Sequence, residues 1–187
     1  MLPLLIGAGI IIVLILGYIF IYNALVAKRQ QVNEAFSGID VQLKMRRDLV
    51  PNLVESVKGY AAHEKTTLDE VITARNAAQN AQGPAEMGQA EGMLTQALGK
   101  LFALAEAYPD LKANQNFIQL QNELSAIEDK VAASRRFYNS AVGDYNTAIE
   151  QFPNSVVAGM GGFTAREFFD VGPEQRADLN QAPEVKF

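Results

Sequence analysis

The chain of 187 residues has no cysteine and no tryptophan. Without cysteine there can be no disulfide, no thiolate metal site, no cysteine nucleophile and no acylated lipoprotein cysteine. A thiol-free chain is tolerated on either side of a membrane, so this absence does not fix the compartment. There is one histidine, His63. A zinc site draws three or four ligands from Cys, His or carboxylate, and His63 with Glu64 and Glu70 falls short of that set. A di-iron carboxylate bundle needs Glu-x-x-His pairs, and at positions 63 and 64 the order is His-Glu. No metal, cofactor-binding or catalytic residue is assigned. Basic runs are also scarce. No more than two Lys or Arg are adjacent, and the formal net charge is −5, so the basic stripe of a nucleic-acid binder is missing. Neither a Gly-x-Ser-x-Gly elbow nor a phosphate loop occurs, since Gly159-Met160-Gly161-Gly162 lacks the following Lys-Ser/Thr. These absences point away from an enzyme. No stretch alternates apolar and polar residues at period two, which argues against strands.

Charge is missing from one region altogether. No Asp, Glu, Lys or Arg occurs in residues 1–27. Leu2 to Ile21 is about 20 apolar residues, roughly 30 Å as a helix, the thickness of a bilayer core. Tyr18, Phe20 and Tyr22 stand where an interfacial aromatic belt would lie, and Lys28 and Arg29 follow at once. A cleaved signal would open with a positive segment and have a shorter apolar stretch, so a retained anchor is expected. Lys28, Arg29, Lys44, Arg46 and Arg47 all follow the span and none precedes it. The positive-inside bias therefore predicts the N-terminus outside and the larger part in the cytoplasm. Gly7, Gly9 and Gly17 form no G-x-x-x-G pair.

Beyond the anchor, apolar residues recur at threes and fours, the spacing of packed helices. Leu25, Val32, Phe36, Ile39 and Leu43 predict that the first helix leaves the membrane without a break. Asp48 and Pro51 suggest the start of a second helix, with Val50, Leu53, Val54, Val57, Ala61, Leu68, Val71 and Ile72 on its apolar face and Gly83-Pro84 at its end. Met87, Ala90, Leu94, Ala97, Leu101 and Leu104 mark a third, closed by Tyr108-Pro109-Asp110. Phe117, Leu120, Leu124, Ile127, Val131, Tyr138, Val142, Tyr145, Ile149 and Phe152 mark a fourth, stopped by Pro153. The predicted fold is all-α: an N-terminal transmembrane helix running into an antiparallel four-helix bundle of long helices. The expected division is an anchor at 1–27, a bundle at 28–153 and a tail at 154–187. The tail is broken by glycines, yet Val156, Val157, Met160, Phe163, Phe168 and Phe169 are too apolar for a free linker. Part of it is expected to fold back on the bundle or the membrane surface, with disorder from Gly172 onward.

Polar residues beside the seams are the candidates for setting packing or assembly: Asp40, Arg75, Asn114, Arg135 and Asn139. Asp40 and Arg135 can form an ion pair inside the bundle or lie as solvated flank residues. Gln89, Gln96, Gln115, Gln119 and Gln121 give the third and fourth helices a low-charge face suited to a subunit contact or simply to solvent.

Four blocks in order along residues 20–160 resemble the LemA family. Tyr22-Asn23-Ala24-Leu25-Val26 is followed by Arg29, Val32, Asn33 and Ala35 through Leu43, then Arg46 and Asp48 through Leu53. Val57-Lys58-Gly59-Tyr60, His63-Glu64 and Ala74-Arg75 form the second block. Tyr108-Pro109, Leu111-Lys112-Ala113 and Phe117 to Glu123 form the third. Arg135 to Asn139, Tyr145-Asn146 and Phe152-Pro153 form the fourth. The resemblance implies a membrane-anchored helical bundle without an assigned enzymatic activity. One branch of that family is associated with building magnetosome membrane compartments, and other members tend to be encoded near a membrane-bound metalloprotease. The expected role is thus a non-catalytic scaffold, held in lipid by residues 1–27, that forms homo-oligomers or recruits a membrane protein. An adaptor of a membrane-bound protease and an enzyme with an unfamiliar site are the rival readings.

Overall fold

A computed structural model describes residues 2–170, and these are helical with no strand among the described residues. The helices are α1 (Leu2–Lys58), α2 (Lys65–Asn80), α3 (Gly83–Ala105), α4 (Pro109–Lys112), α5 (Gln115–Glu150) and α6 (Asn154–Gly161). The described chain divides into two compact units. Residues 2–37 with 137–167 form the first, and residues 38–136 with 168–170 form the second. Both α1 and α5 contribute to each.

The first helix is longer than the sequence suggests. Pro51 does not open a second helix but lies inside α1. An interior proline removes one backbone hydrogen bond and costs a helix about 3 kcal/mol. Here burial outweighs that cost: Leu43, Val50, Leu53, Val54 and Val57 form one uninterrupted buried stripe across the proline. The break falls instead after Lys58. Tyr60 and Ala61 both donate their backbone N–H to the Val57 carbonyl, at 3.0 and 2.8 Å, which turns the chain before α2.

Other boundaries follow local rules. Gly83 takes φ +78°, a conformation that glycine adopts without strain, and sits immediately before Pro84 at the start of α3. The Glu86 carboxylate accepts the Gln82 backbone N–H at 3.0 Å, satisfying one of the orphan donors there. Asn114 caps α5, its Oδ1 accepting the Phe117 N–H at 3.1 Å while its Nδ2 donates to the Tyr60 hydroxyl at 2.9 Å. The α6 helix ends on Gly162 at φ +68°, and the Phe163 N–H returns to the Ala158 carbonyl at 3.0 Å.

In the first unit Leu25, Val32 and Ala35 of α1 are buried, as are Tyr138, Val142 and Tyr145 of α5 and Val157 and Ala158 of α6. The segment after α6 is fastened here by its backbone. The Tyr145 hydroxyl donates to the Thr164 carbonyl at 3.1 Å and the Tyr138 hydroxyl to the Glu167 carbonyl at 2.8 Å. Asn146 grips Arg166 twice, donating to its carbonyl at 2.9 Å and accepting its N–H at 2.8 Å. Residues 164–167 are thus held against α5, whereas the expected disorder from Gly172 lies outside the described residues. Asn146→Ala removes both of the Arg166 bonds and is expected to cost about 1–2 kcal/mol. The readout is hydrogen exchange at the Arg166 amide, which should lose protection; unchanged protection would mean that the tyrosine bonds hold the segment alone.

In the second unit Val50, Leu53 and Val57 of α1 pack with Leu68 and Val71 of α2, Leu94, Leu98 and Leu101 of α3, and Phe117 and Leu124 of α5 in one core.

Candidate functional site

The second unit buries charge as well as hydrocarbon. Counting in threes and fours along α1, the inward positions after Leu43 are Arg46 and Val50. On α3 they are Met87, Glu91, Leu94 and Leu98. An arginine and a glutamate thus occupy core positions on two helices, with side chains only 2% and 4% exposed. Arg46 Nη1 donates to Glu91 Oε2 at 2.7 Å and to the Glu91 carbonyl at 3.2 Å. Arg46 Nη2 reaches Thr95 Oγ1 at 2.7 Å and Glu128 Oε1 on α5 at 2.6 Å. Thr95 lies one turn beyond Glu91 and donates its hydroxyl proton to the Glu91 carbonyl at 3.0 Å. Arg47, the next residue on α1, donates to Glu91 Oε1 at 3.2 Å and to the Ala78 carbonyl at 3.1 Å.

The guanidinium of Arg46 therefore ties α1 to α3 and α5, and that of Arg47 ties α1 to α2 and α3. Arg46 Nε is buried without a hydrogen-bond partner among the described residues. A cavity of about 290 Å³ adjoins the network, lined by Arg46, Glu91, Glu128, Asp129, Arg135 and Phe169 among others. Two arginines face three carboxylates around it. Glu91 and Glu128 are already engaged by guanidinium groups, so the site offers charge pairing and helix registration. Among the described residues no three His, Asp or Glu side chains converge as a metal site. His63 is exposed in the turn between α1 and α2. Glu64 accepts the Tyr108 hydroxyl at 3.2 Å, and Glu70 pairs with Lys100 at 2.8 Å.

Burial pushes the Glu91 carboxyl above its ordinary value of 4.5, and the flanking Arg46 and Arg47 offset part of that rise. An acid whose pKa is raised on folding binds its proton more tightly in the folded state. Its stabilising contribution is full below the unfolded value and is lost as pH rises through the folded value. Wild-type stability relative to Glu91→Gln is therefore expected to decline from about pH 4 upward, as followed by thermal unfolding across a pH series. The opposite slope would show that the arginines outweigh burial.

The residues singled out in the sequence fall around this network and not at its centre. Asp40 does not meet Arg135. It follows the fully buried Ile39, so a step of one residue around α1 carries it to the surface, 56% exposed, where its carboxylate lies 3.6 Å from Arg47. Arg75 donates to the Arg47 carbonyl at 3.5 Å and to Asn76 at 3.3 Å. Arg135 is half-buried at the cavity and makes no ion pair among the described residues. Asn114 is a helix cap. Asn139 is half-buried on α5 in the first unit. Gln89, Gln96, Gln115, Gln119 and Gln121 are all exposed. Arg46 and Glu91, which carry the buried charge, were not among the candidates, although opposite charges on two apolar seams were the signal.

A family model described as LemA family matches residues 35–187. Protein LemA of Metamycoplasma hominis is 30% identical over 149 residues, covering 75% of this chain and 67% of its own length. Magnetosome protein MamQ of Magnetospirillum gryphiswaldense is 25% identical over 178 residues and covers 81% of this chain. Magnetosome protein MamQ 2 of Paramagnetospirillum magneticum is 24% identical, with 88% of this chain and 75% of the relative aligned. The match spans 65% of the length of the M. gryphiswaldense protein, a little under two thirds.

Proposed function

The chain belongs to the LemA family, and from that premise we propose a single-pass, membrane-anchored, non-catalytic scaffold whose remaining helices form an antiparallel bundle that self-assembles or recruits partners. The N-terminal apolar helix carries this reading. From Leu2 to Phe20 its side chains face outward, with Leu4 at 77%, Leu14 at 67% and Phe20 at 77% exposure. Each such side chain gains about 1.5–3 kcal/mol on leaving water, so a chargeless helix of this length is stable only when lipid surrounds it. The helix satisfies its backbone internally, which a bilayer requires. Lys28 and Arg29 at the end of the span favour the cytoplasmic side for the bundle. Confinement to a membrane raises the effective concentration of the bundles for one another. The buried arginine–carboxylate network supports a structural role because its acidic groups are occupied by arginines.

Alkaline carbonate extraction tests the anchor, and light scattering in mild detergent tests assembly. The full chain should stay with the membrane pellet and elute as a uniform multiple of its 20.4 kDa mass. Release by carbonate would overturn the anchor; a monomer at every concentration would overturn self-assembly. Protease added outside intact cells should leave the bundle intact.

A further inference from the structure

The first unit carries a second apolar surface, separate from the span. On α6, Val157 and Ala158 face inward while Val156 and Met160, one turn apart, point outward at 55% and 73% exposure. Phe152, a further turn back in the bend before α6, is 84% exposed. The whole stretch 151–165 contains no Asp, Glu, Lys or Arg. Three large apolar side chains thus line one side of an uncharged segment.

Their position identifies what covers them. Phe163, immediately after α6, packs edge-on against Tyr22 with ring centroids 5.4 Å apart, and the Arg29 guanidinium sits 5.2 Å from the Phe163 ring centre. Gly161 is backed so closely on Tyr22 that a Cβ there would lie 3.2 Å from the tyrosine ring. Tyr22 is the residue directly after the apolar stretch Leu2–Ile21 and is itself stacked on Tyr18 at 6.2 Å. The α6 helix is therefore fixed beside the last turn of the span, at the level where an aromatic belt meets the headgroups. Arg29 stands beside it over the Phe163 ring, Lys28 precedes it on α1, and both would face anionic headgroups.

We propose that α6 is an interfacial helix: Phe152, Val156 and Met160 insert into the bilayer surface beside the transmembrane helix, with Lys28 and Arg29 against anionic phospholipid headgroups. The inference rests on the anchor reading above. An uncharged, one-sided apolar helix at this level would sink about 5–10 Å into the headgroup–acyl boundary. With the span it forms a two-point attachment, which would fix the angle of the first unit to the membrane.

The absence of native cysteine makes the test direct. Single cysteines at Phe152, Val156, Met160, Leu14 and Asp144 are spin-labelled in the full chain. The protein is reconstituted in phosphatidylcholine vesicles containing phosphatidylglycerol, and collisions with oxygen and with a water-soluble nickel chelate are compared. Labels at 152, 156 and 160 should show an oxygen-to-nickel ratio several-fold above that at 144, between the values at 144 and 14. Water-like ratios at all three, with a lipid-like ratio at 14, would overturn the α6 proposal and leave the anchor standing. Water-like ratios at 14 as well would overturn both. Shielding from both reagents at 152–160 would also overturn it, in favour of a second copy of the chain.

Discussion

Glu91→Leu is expected to destabilise the protein by about 3 kcal/mol, the lower end of the cost of breaking a buried ion pair. The substitution leaves the Arg46 guanidinium 2% exposed, with Glu128 at 2.6 Å as its remaining carboxylate. Arginine does not lose its proton in a protein, so the stranded charge cannot be neutralised. Arg46→Met behaves differently. It strands Glu91, but Arg47 still lies 3.2 Å away and a buried carboxylate can take up a proton. The cost should be smaller than for Glu91→Leu and should shrink further at low pH. The double variant Arg46→Met/Glu91→Leu should recover most of the loss, because well-packed apolar residues of similar volume are often neutral or better than a buried pair. Thermal unfolding of the four proteins in one detergent decides the matter. If the two single variants were equal and the double variant additive, the pair would not be coupled and Arg46 would depend on Glu128 instead.

The same pair shows what the sequence made legible. Helices α3 and α5 are written as apolar residues at threes and fours and lie close to where that pattern puts them, and the uncharged apolar run at the N-terminus lies in α1. At Pro51 the local breaker signal and the buried stripe from Leu43 to Val57 conflict, and the stripe prevails. Local propensity is weak beside several buried side chains. The site was missed for a related reason. Asp40 and Arg135 flank the seams, whereas Arg46 and Glu91 lie on them. A charged residue at a seam position reads as an interruption of the apolar pattern until the opposite charge is brought to it by a second helix. Neither helix pattern alone says which seam meets which. The tail was legible only as being too apolar for a linker. Its fastening depends on side chains far back in the chain, from Tyr138, Tyr145 and Asn146 to the backbone of 164–167, and backbone acceptors leave no trace in a sequence.

The end of that tail supplies the second large effect. In the second unit Phe169 is 3% exposed and forms part of the cavity wall beside Arg46 and Glu128. Gly88, in the early turns of α3, admits the Asp170 backbone where any side chain would stand: a Cβ there would fall 2.7 Å from the Asp170 carbonyl carbon. Phe169→Ala is expected to cost about 3–5 kcal/mol, the range for deleting a buried phenylalanine. Gly88→Ala should remove the same docking by steric exclusion. Alanine also returns about 1 kcal/mol to the helix, so its net cost should be smaller by that amount. Because both changes sever one contact, the double variant should be far less destabilised than the sum. Hydrogen exchange at the Phe169 and Asp170 amides, with unfolding of the four proteins, reads this directly. A stabilised Gly88→Ala with Phe169 still protected would mean that α3 and the tail can part by an ångström without loss, and the glycine would then serve no purpose in docking. Full additivity would place the two effects in separate parts of the unit. The expected non-additivity would instead make the tail a buried part of the second unit, held at the same cavity wall as the arginine network.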